Sequence, residues 1–185
     1  MTSPTTRRGA LTWLGALAAL LVLAADQASK YWILHGLDLP RLGSIAILPV
    51  LNFTMVWNRG ITFGLLTAGG LLGSLLLAGV ALAVVAALAV WLHRAESRLV
   101  AGALGAIAGG AVGNVIDRVR YGAVVDFIHA HAFGWSWYVF NLADAAIVCG
   151  VAALVLDGVR GHPPATQPPA VHPPADPLAE PPPRQ

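Results

Sequence analysis

Four apolar stretches, at about 10–34, 69–92, 99–117 and 138–158, constrain this chain more than any other feature. A helix needs about 20 predominantly apolar residues to cross the hydrocarbon of a bilayer. The second stretch is the cleanest, running from Gly69 to Leu92 without a charged side chain. Of the 185 residues, 57% are hydrophobic and 11% charged, whereas a soluble domain carries about a quarter charged residues. The chain therefore reads as an all-α membrane protein, a four-transmembrane-helix bundle. The third stretch contains Gly102, Gly105, Gly109, Gly110 and Gly113. Small residues let helices approach closely in lipid, so this span is expected at the centre of the bundle.

Basic residues suggest an orientation. Arg7 and Arg8 precede the first span, Arg94 and Arg98 flank the turn between the second and third, and Arg160 follows the fourth. With four spans these fall on one side, which the positive-inside rule makes cytoplasmic, together with both termini. Lys30, Arg41, Arg59, Arg118 and Arg120 then lie on the outer side and call for a functional reason. Tryptophan fits this layout, with Trp13 and Trp91 marking the inner face and Trp32, Trp57, Trp135 and Trp137 the outer. Trp13 and Trp32 are separated by about 28 Å at helical rise, close to the thickness of the hydrocarbon. The N-terminus, with Arg7-Arg8, an apolar run and Leu23-Ala24-Ala25, also resembles a cleavable secretory signal. Apolar character resumes with Tyr31-Trp32-Ile33-Leu34, so an uncleaved first span is expected.

Between the spans, about 40–66 reads as a small extracytoplasmic β-element: Ile45 to Trp57 is rich in Ile, Val, Phe, Thr and Trp, and Gly60 and Gly64 allow tight bends. About 118–137 reads as a second outer segment, a short helix or loop with a turn at Tyr121-Gly122. Residues 1–160 are expected to form the functional domain. Residues 161–185 contain ten of the thirteen prolines and are expected to be a disordered cytoplasmic tail.

Several function classes drop out. A formal charge of +2 gives no footprint for nucleic acid. One cysteine, Cys149, excludes an internal disulfide and a multi-cysteine metal site. The six histidines are scattered; His129 and His131, two residues apart, are weak grounds for a metal, so neither metal nor organic cofactor is expected. Ser29, Ser44 and Ser136 have no base nearby in sequence, which argues against a serine nucleophile.

Carboxylates remain. Asp26, Asp117 and Asp144 fall where three spans end on the same side, with Asp126 shortly after Asp117. A charged side chain near hydrocarbon costs a few kcal/mol even on insertion scales, so such residues usually serve a purpose. Asp26 and Lys30 are four apart and form a natural helix pair that reaches the surface together. Asn114 and Asp117 share a helix face, with Arg118 beside Asp117 to match its charge. Asp126 lies among Val124, Val125, Phe127 and Ile128, apolar surroundings that raise a carboxyl pKa. Asp144, read as lying roughly 10 Å below Trp137 by helical rise, needs a partner from another segment. Two acids within a few ångströms share a proton, one acting as base on water and the other donating to a carbonyl oxygen. On the residues alone, either Asp117 or Asp126 is a possible partner for Asp144. A proton-coupled transporter also uses intramembrane acids, but it predicts them distributed through the membrane depth.

Four blocks are specific when taken together: Asp26-Gln27-Ala28-Ser29-Lys30; Asn58-Arg59-Gly60-Ile61-Thr62-Phe63-Gly64; Gly113-Asn114-Val115-Ile116-Asp117-Arg118 continuing through Val124-Val125-Asp126-Phe127-Ile128; and Phe140-Asn141-Leu142-Ala143-Asp144. In this order and spacing the chain resembles the bacterial lipoprotein signal peptidases. The resemblance implies a monomeric aspartic endopeptidase of the inner membrane. Its partners would be membrane lipid and diacylglyceryl-modified prolipoproteins, cut just before the lipidated cysteine by water at the outer leaflet. It implies Asp126 and Asp144 as the catalytic dyad. Asn58, Asn114, Arg118 and Asn141 would line the site, with Asp26, Lys30 and Asp117 in support and Gly60 to Gly64 in a cradle for the lipidated segment. Trp57, Ile61 and Thr62 depart from the family pattern at that cradle and not at the dyad.

Overall fold

The computed structural model describes residues 4–60 and 71–160. The expected proline-rich tail, 161–185, and residues 61–64 of the expected cradle lie outside the described residues. In chain order the elements are α1 (Pro4–Tyr31), a π-helical turn (Trp32–Gly36), α2 (Leu39–Leu42), β1 (Ser44–Leu48), β2 (Leu51–Asn58), α3 (Leu71–Leu92), α4 (Arg98–Tyr121), β3 (Val124–Ala132), β4 (Trp135–Ser136) and α5 (Leu142–Val159). α1, α3, α4 and α5 are each long and apolar enough to cross a membrane. Helices suit that medium because they satisfy every backbone N–H and C=O internally.

α4 is the centre of the bundle, with α1, α3 and α5 packed around it. Gly105, Gly109 and Gly113 recur every four residues and face α1. An added Cβ would strike the Gly15 carbonyl, the Ala19 carbonyl and the Asp26 carboxylate respectively. Gly110 faces α5, where a Cβ would sit 2.6 Å from the Ala143 carbonyl oxygen. Dispersion between closely approached backbones replaces the hydrophobic effect, which does not operate between helices in lipid. By contrast, α3 buries only Ser74 and Ala78, so most of its apolar surface is left for lipid. Ser97 starts α4 by accepting from Val100 N at 3.1 Å, and Gly122 ends it in the left-handed conformation, φ 70°.

The strands form one antiparallel sheet in the order β1-β2-β3-β4. A bulge between Phe53 and Val56 shifts the β2–β3 register, so that Val56 faces Asp126 and Asn58 faces Val124. Alternation along β3 sends Val125 and Phe127 into a small core with Ile33, Leu34 and Leu39, and turns Asp126 towards the helix ends. Phe53 joins this core edge-on to both Trp32 and Phe127.

The sheet differs from the sequence expectation. The segment about 118–137, expected as a loop or short helix, is the last turn of α4 followed by β3 and β4. Val124 to Phe127 are buried on both faces of β3, while Asp126 and the two histidines interrupt the apolar alternation that would reveal a strand. The short outer helix is instead α2, Leu39–Leu42, which overlaps the start of the segment read as β from about residue 40. α5 also begins later than 138. Trp137 N donates to Ala130 O at 2.9 Å, and Phe127 N and Ile128 N both donate to Phe140 O, so this segment is zipped onto β3. Asn141 then caps α5: its Oδ1 accepts from Asp144 N at 2.9 Å, and Asp144 Oδ2 accepts from Asn141 N at 3.2 Å. Asp144 therefore stands in the first turn of α5 and not well down an established helix.

Candidate active site

Two polar layers lie beneath the sheet. The first is ionic. Lys30 Nζ is 2.8 Å from Asp26 Oδ2, 2.7 Å from Asp117 Oδ2 and 3.0 Å from Asn114 Oδ1. An ammonium has three N–H donors, and these contacts occupy all of them. Asp26, Lys30 and Asp117 are buried, at 0%, 3% and 1% exposure. The expectation that Asp26 and Lys30 reach the surface as a pair is thus corrected: Asp117 and Asn114 of α4 draw the ammonium inward. Both carboxylates also hold backbone. Asp26 Oδ1 accepts from Ala143 N at 3.0 Å, and Asp117 Oδ2 accepts from Val125 N at 3.1 Å.

Arg118 is not the partner of Asp117. Its Nη1 donates to the Asn114 carbonyl at 3.2 Å, while Nε is buried with no hydrogen-bond partner among the described residues. Asp117, Asp126 and Asp144 are the carboxylates near its guanidinium.

The second layer holds carboxylates on neutral amides. Asn141 Nδ2 donates to Asp126 Oδ1 at 2.6 Å and to Asn114 Oδ1 at 3.1 Å. Asn114 Nδ2 donates to Asp144 Oδ1 at 2.8 Å. Asn58 Nδ2 donates to Asp126 Oδ2 at 2.9 Å, and Asn58 Oδ1 accepts from Gly60 N at 2.9 Å. Gly60 has φ 97°, a conformation that side chains rarely adopt, and a Cβ there would collide with Leu77. Asp126 is buried and Asp144 half-buried, and neither is ion-paired among the described residues. Burial pushes the Asp126 pKa up to about 6; the Asn58 amide works against this rise and the nearby Asp144 charge adds to it.

Asp26, Lys30, Asn58, Asn114, Asp117, Asp126, Asn141 and Asp144 thus belong to one connected network drawn from α1, β2, α4, β3 and α5, with Gly60 tied to its edge. Sequence reasoning missed Gln27, whose Nε2 lies within 3.3 Å of Asp26 Oδ2, the Gly113 carbonyl and Asp117 Oδ1. A polar residue next to Asp26 in an apolar span was the available signal. His129 serves the sheet, with Nε2 2.6 Å from Ser136 Oγ and Nδ1 3.3 Å from Thr54 Oγ1. Among the described residues, no three His, Cys, Asp or Glu side chains are grouped to hold a metal ion. Two nearby carboxylates on amide donors are the groups with which acid–base chemistry activates water and protonates an oxygen.

Comparison with known proteins bears on what such a pair would act upon. Residues 18–160 match the family model described as signal peptidase (SPase) II. A protein of Methylorubrum extorquens named lipoprotein signal peptidase is 55% identical over 149 residues, covering 80% of this chain and 87% of the relative. One of the same name from Rhodopseudomonas palustris is 45% identical over 159 residues, covering 84% and 97%. A structure described as a bacterial membrane enzyme, obtained by the in meso method at 1.9 Å resolution, superposes with a TM-score of 0.69 at 28% identity, covering 80% of this chain and 94% of that one.

Proposed function

The chain belongs to the signal peptidase II family, aspartic proteases that process lipoproteins in bacterial membranes, and on that premise we propose that Asp126 and Asp144 are its catalytic dyad. The observation that carries this reading is the amide relay: two carboxylates from different elements meet on Asn141 and Asn114 without a cation on either. Asp126, with its raised pKa, holds the proton that goes to the scissile carbonyl oxygen. Asp144, the more open of the two, takes a proton from water as that water attacks the carbonyl carbon. Collapse of the tetrahedral intermediate returns a proton to the leaving amine, which is the amine of the lipidated cysteine. Asn141 fixes Asp126 while capping the helix that carries Asp144, so a single side chain sets the orientation of both acids.

The substrates are prolipoproteins. We place the site at the outer leaflet, with both termini in the cytoplasm, following the arginines at the opposite end of the bundle. A site at that depth, open sideways to lipid, receives both a signal helix and a diacylglyceryl-cysteine. Arg118, whose Nε has no hydrogen-bond partner among the described residues, is suited to a substrate carbonyl, and Asn58 and Gly60 to the edge of the substrate groove. The enzyme acts as a monomer. The transporter reading has no support from the distribution of acids: Asp26, Asp117, Asp126 and Asp144 share one end of the bundle, and α3 carries no charged side chain.

The test is cleavage of a diacylglyceryl-modified prolipoprotein by the purified enzyme in lipid. Asp126→Asn and Asp144→Asn are each expected to lower kcat by at least about a thousandfold while remaining folded. Substantial turnover by either folded variant would remove that residue from the dyad.

A further inference from the structure

Asp26 and Asp117 do more than neutralise Lys30. Asp26 Oδ1 holds the amide of Ala143, the residue immediately before Asp144. Asp117 Oδ2 holds the amide of Val125, the residue immediately before Asp126. The remaining Asp26 oxygen and the same Asp117 oxygen meet on the Lys30 ammonium, at 2.8 and 2.7 Å. One cation on α1 is therefore linked, through two carboxylates, to the backbone directly before each proposed catalytic acid. The third Lys30 donor goes to Asn114, which itself donates to Asp144.

We propose that Asp26, Lys30 and Asp117 form a two-armed clamp that sets the separation of Asp126 and Asp144, making all three positioning residues for the reaction. The inference rests on the dyad assignment above. It is needed mechanically because the acids ride on unlike supports. Asp126 is on a strand of the outer sheet and Asp144 in the first turn of a helix. The strand is zipped to the segment before Asn141, which fixes its height, and Asn114 and Asn141 hold the side chains of both acids, while the clamp holds the backbone of both supports to one cation on α1. A displacement of about 1 Å at reacting groups can cost on the order of a hundredfold in rate.

The two arms differ in a way that yields a sharp expectation. At Asp117 a single oxygen, Oδ2, serves both Lys30 and Val125 N, while Oδ1 faces the Gln27 amide. Asp117→Asn can keep its carbonyl oxygen at the Oδ2 place, on Lys30 and Val125 N, and gives up only the Gln27 contact, leaving that amide to Asp26 Oδ2 and the Gly113 carbonyl. At Asp26 the duties are split, with Oδ1 on Ala143 N and Oδ2 on Lys30. Asp26→Asn has only one oxygen, so it must aim an NH2 either at the ammonium or at the amide.

The experiment measures kcat, KM and the pH–rate profile of the full-length enzyme in lipid, with a diacylglyceryl-modified prolipoprotein, per mole of folded protein. Asp117→Asn is expected within about fivefold of wild-type kcat, and Asp26→Asn and Asp117→Ala at least about fiftyfold below it, with KM little changed. In the low variants the acidic and basic limbs of the profile are expected to move, because the interaction between two acids depends on their separation. A general loss of folded protein lowers total activity but leaves kcat per folded enzyme and the limbs in place. Equal kcat for Asp26→Asn and Asp117→Asn, or unmoved limbs in the low variants, overturns the clamp. Should Asp117→Ala not fold, the two asparagine variants decide alone. If Asp126→Asn or Asp144→Asn still cuts, the dyad assignment falls and the clamp with it. If both are dead and Asp26→Asn cuts like wild type, the clamp alone falls.

Discussion

At the end of the bundle that carries the Arg94–Ser97 turn, Leu11, Ala95 and Ala101 are buried against Leu92 and Val100, and Ser97 caps α4. At the end that carries the sheet, the buried set includes Asp26, Lys30, Asn114, Asp117, Asp126 and Asn141. Both ends are packed, but by different means. The first relies on apolar side chains and one helix cap. The second buries charge and must satisfy every donor and acceptor that it hides. The apolar end is therefore forgiving and short-ranged, whereas the polar end is connected across five elements, so one altered atom is felt at a distance.

Removing the shared cation gives the largest effect. Lys30→Met leaves Asp26 and Asp117 buried together without their ammonium and is expected to cost about 3–5 kcal/mol. Denaturant titration in mixed micelles measures this, and a loss below about 1 kcal/mol would show that the polar end does not depend on its ion pairs.

The second prediction uses pH. Folding raises the Asp126 pKa from 3.8 to about 6, so the folded state binds that proton more tightly than the unfolded chain. The resulting contribution to stability is complete below about pH 4 and is lost as pH rises through about 6, a change of up to about 3 kcal/mol. Unfolding titrations between pH 4 and 7.5 are expected to show this decline in wild type and a flatter dependence in Asp126→Asn. Parallel pH dependences would mean that burial of Asp126 is compensated in the folded state.

Two smaller changes probe the apolar packing. Gly105→Ala puts a methyl group against the Gly15 carbonyl and is expected to destabilise by about 1–3 kcal/mol, with kcat per folded enzyme unchanged. If instead kcat drops while stability holds, the middle of the bundle transmits to the site as strongly as the polar end does. Ser97→Ala removes the α4 cap and is expected to cost about 1 kcal/mol without altering cleavage, by thermal unfolding and turnover measured together.

Much of the helical architecture was legible because lipid leaves few options. A run such as Gly69 to Leu92 has to be a helix wherever it crosses hydrocarbon, and four of the five glycines of α4, Gly105, Gly109, Gly110 and Gly113, are buried against a neighbour while Gly102 is not. The site was legible as a set of residue types, since carboxylates and asparagines are expensive at those depths. The strand that carries Asp126 was not, because its polar residues point into the network and break the alternation by which strands are recognised. Nor was the start of α5, where Phe140 belongs to the sheet through β3 and only Asn141 begins the helix. The local pairings were misread for a similar reason. Asp117 has Arg118 beside it in sequence, but adjacent residues on a helix point apart, and its cation comes from α1.

The sequence by itself determined that this chain spans a membrane four times, that α4 lies among its neighbours, and which acids stand near one end. These follow from transfer free energies and helix period, which act on each segment separately. Only the tertiary structure decided which acids share a cation and which share an amide. It also decided that Asp26 and Asp117 hold the backbone directly before Asp144 and Asp126. Those relations join residues up to 117 positions apart. Hydrogen bonds depend on distances of a few tenths of an ångström, which are set only when all the elements have packed.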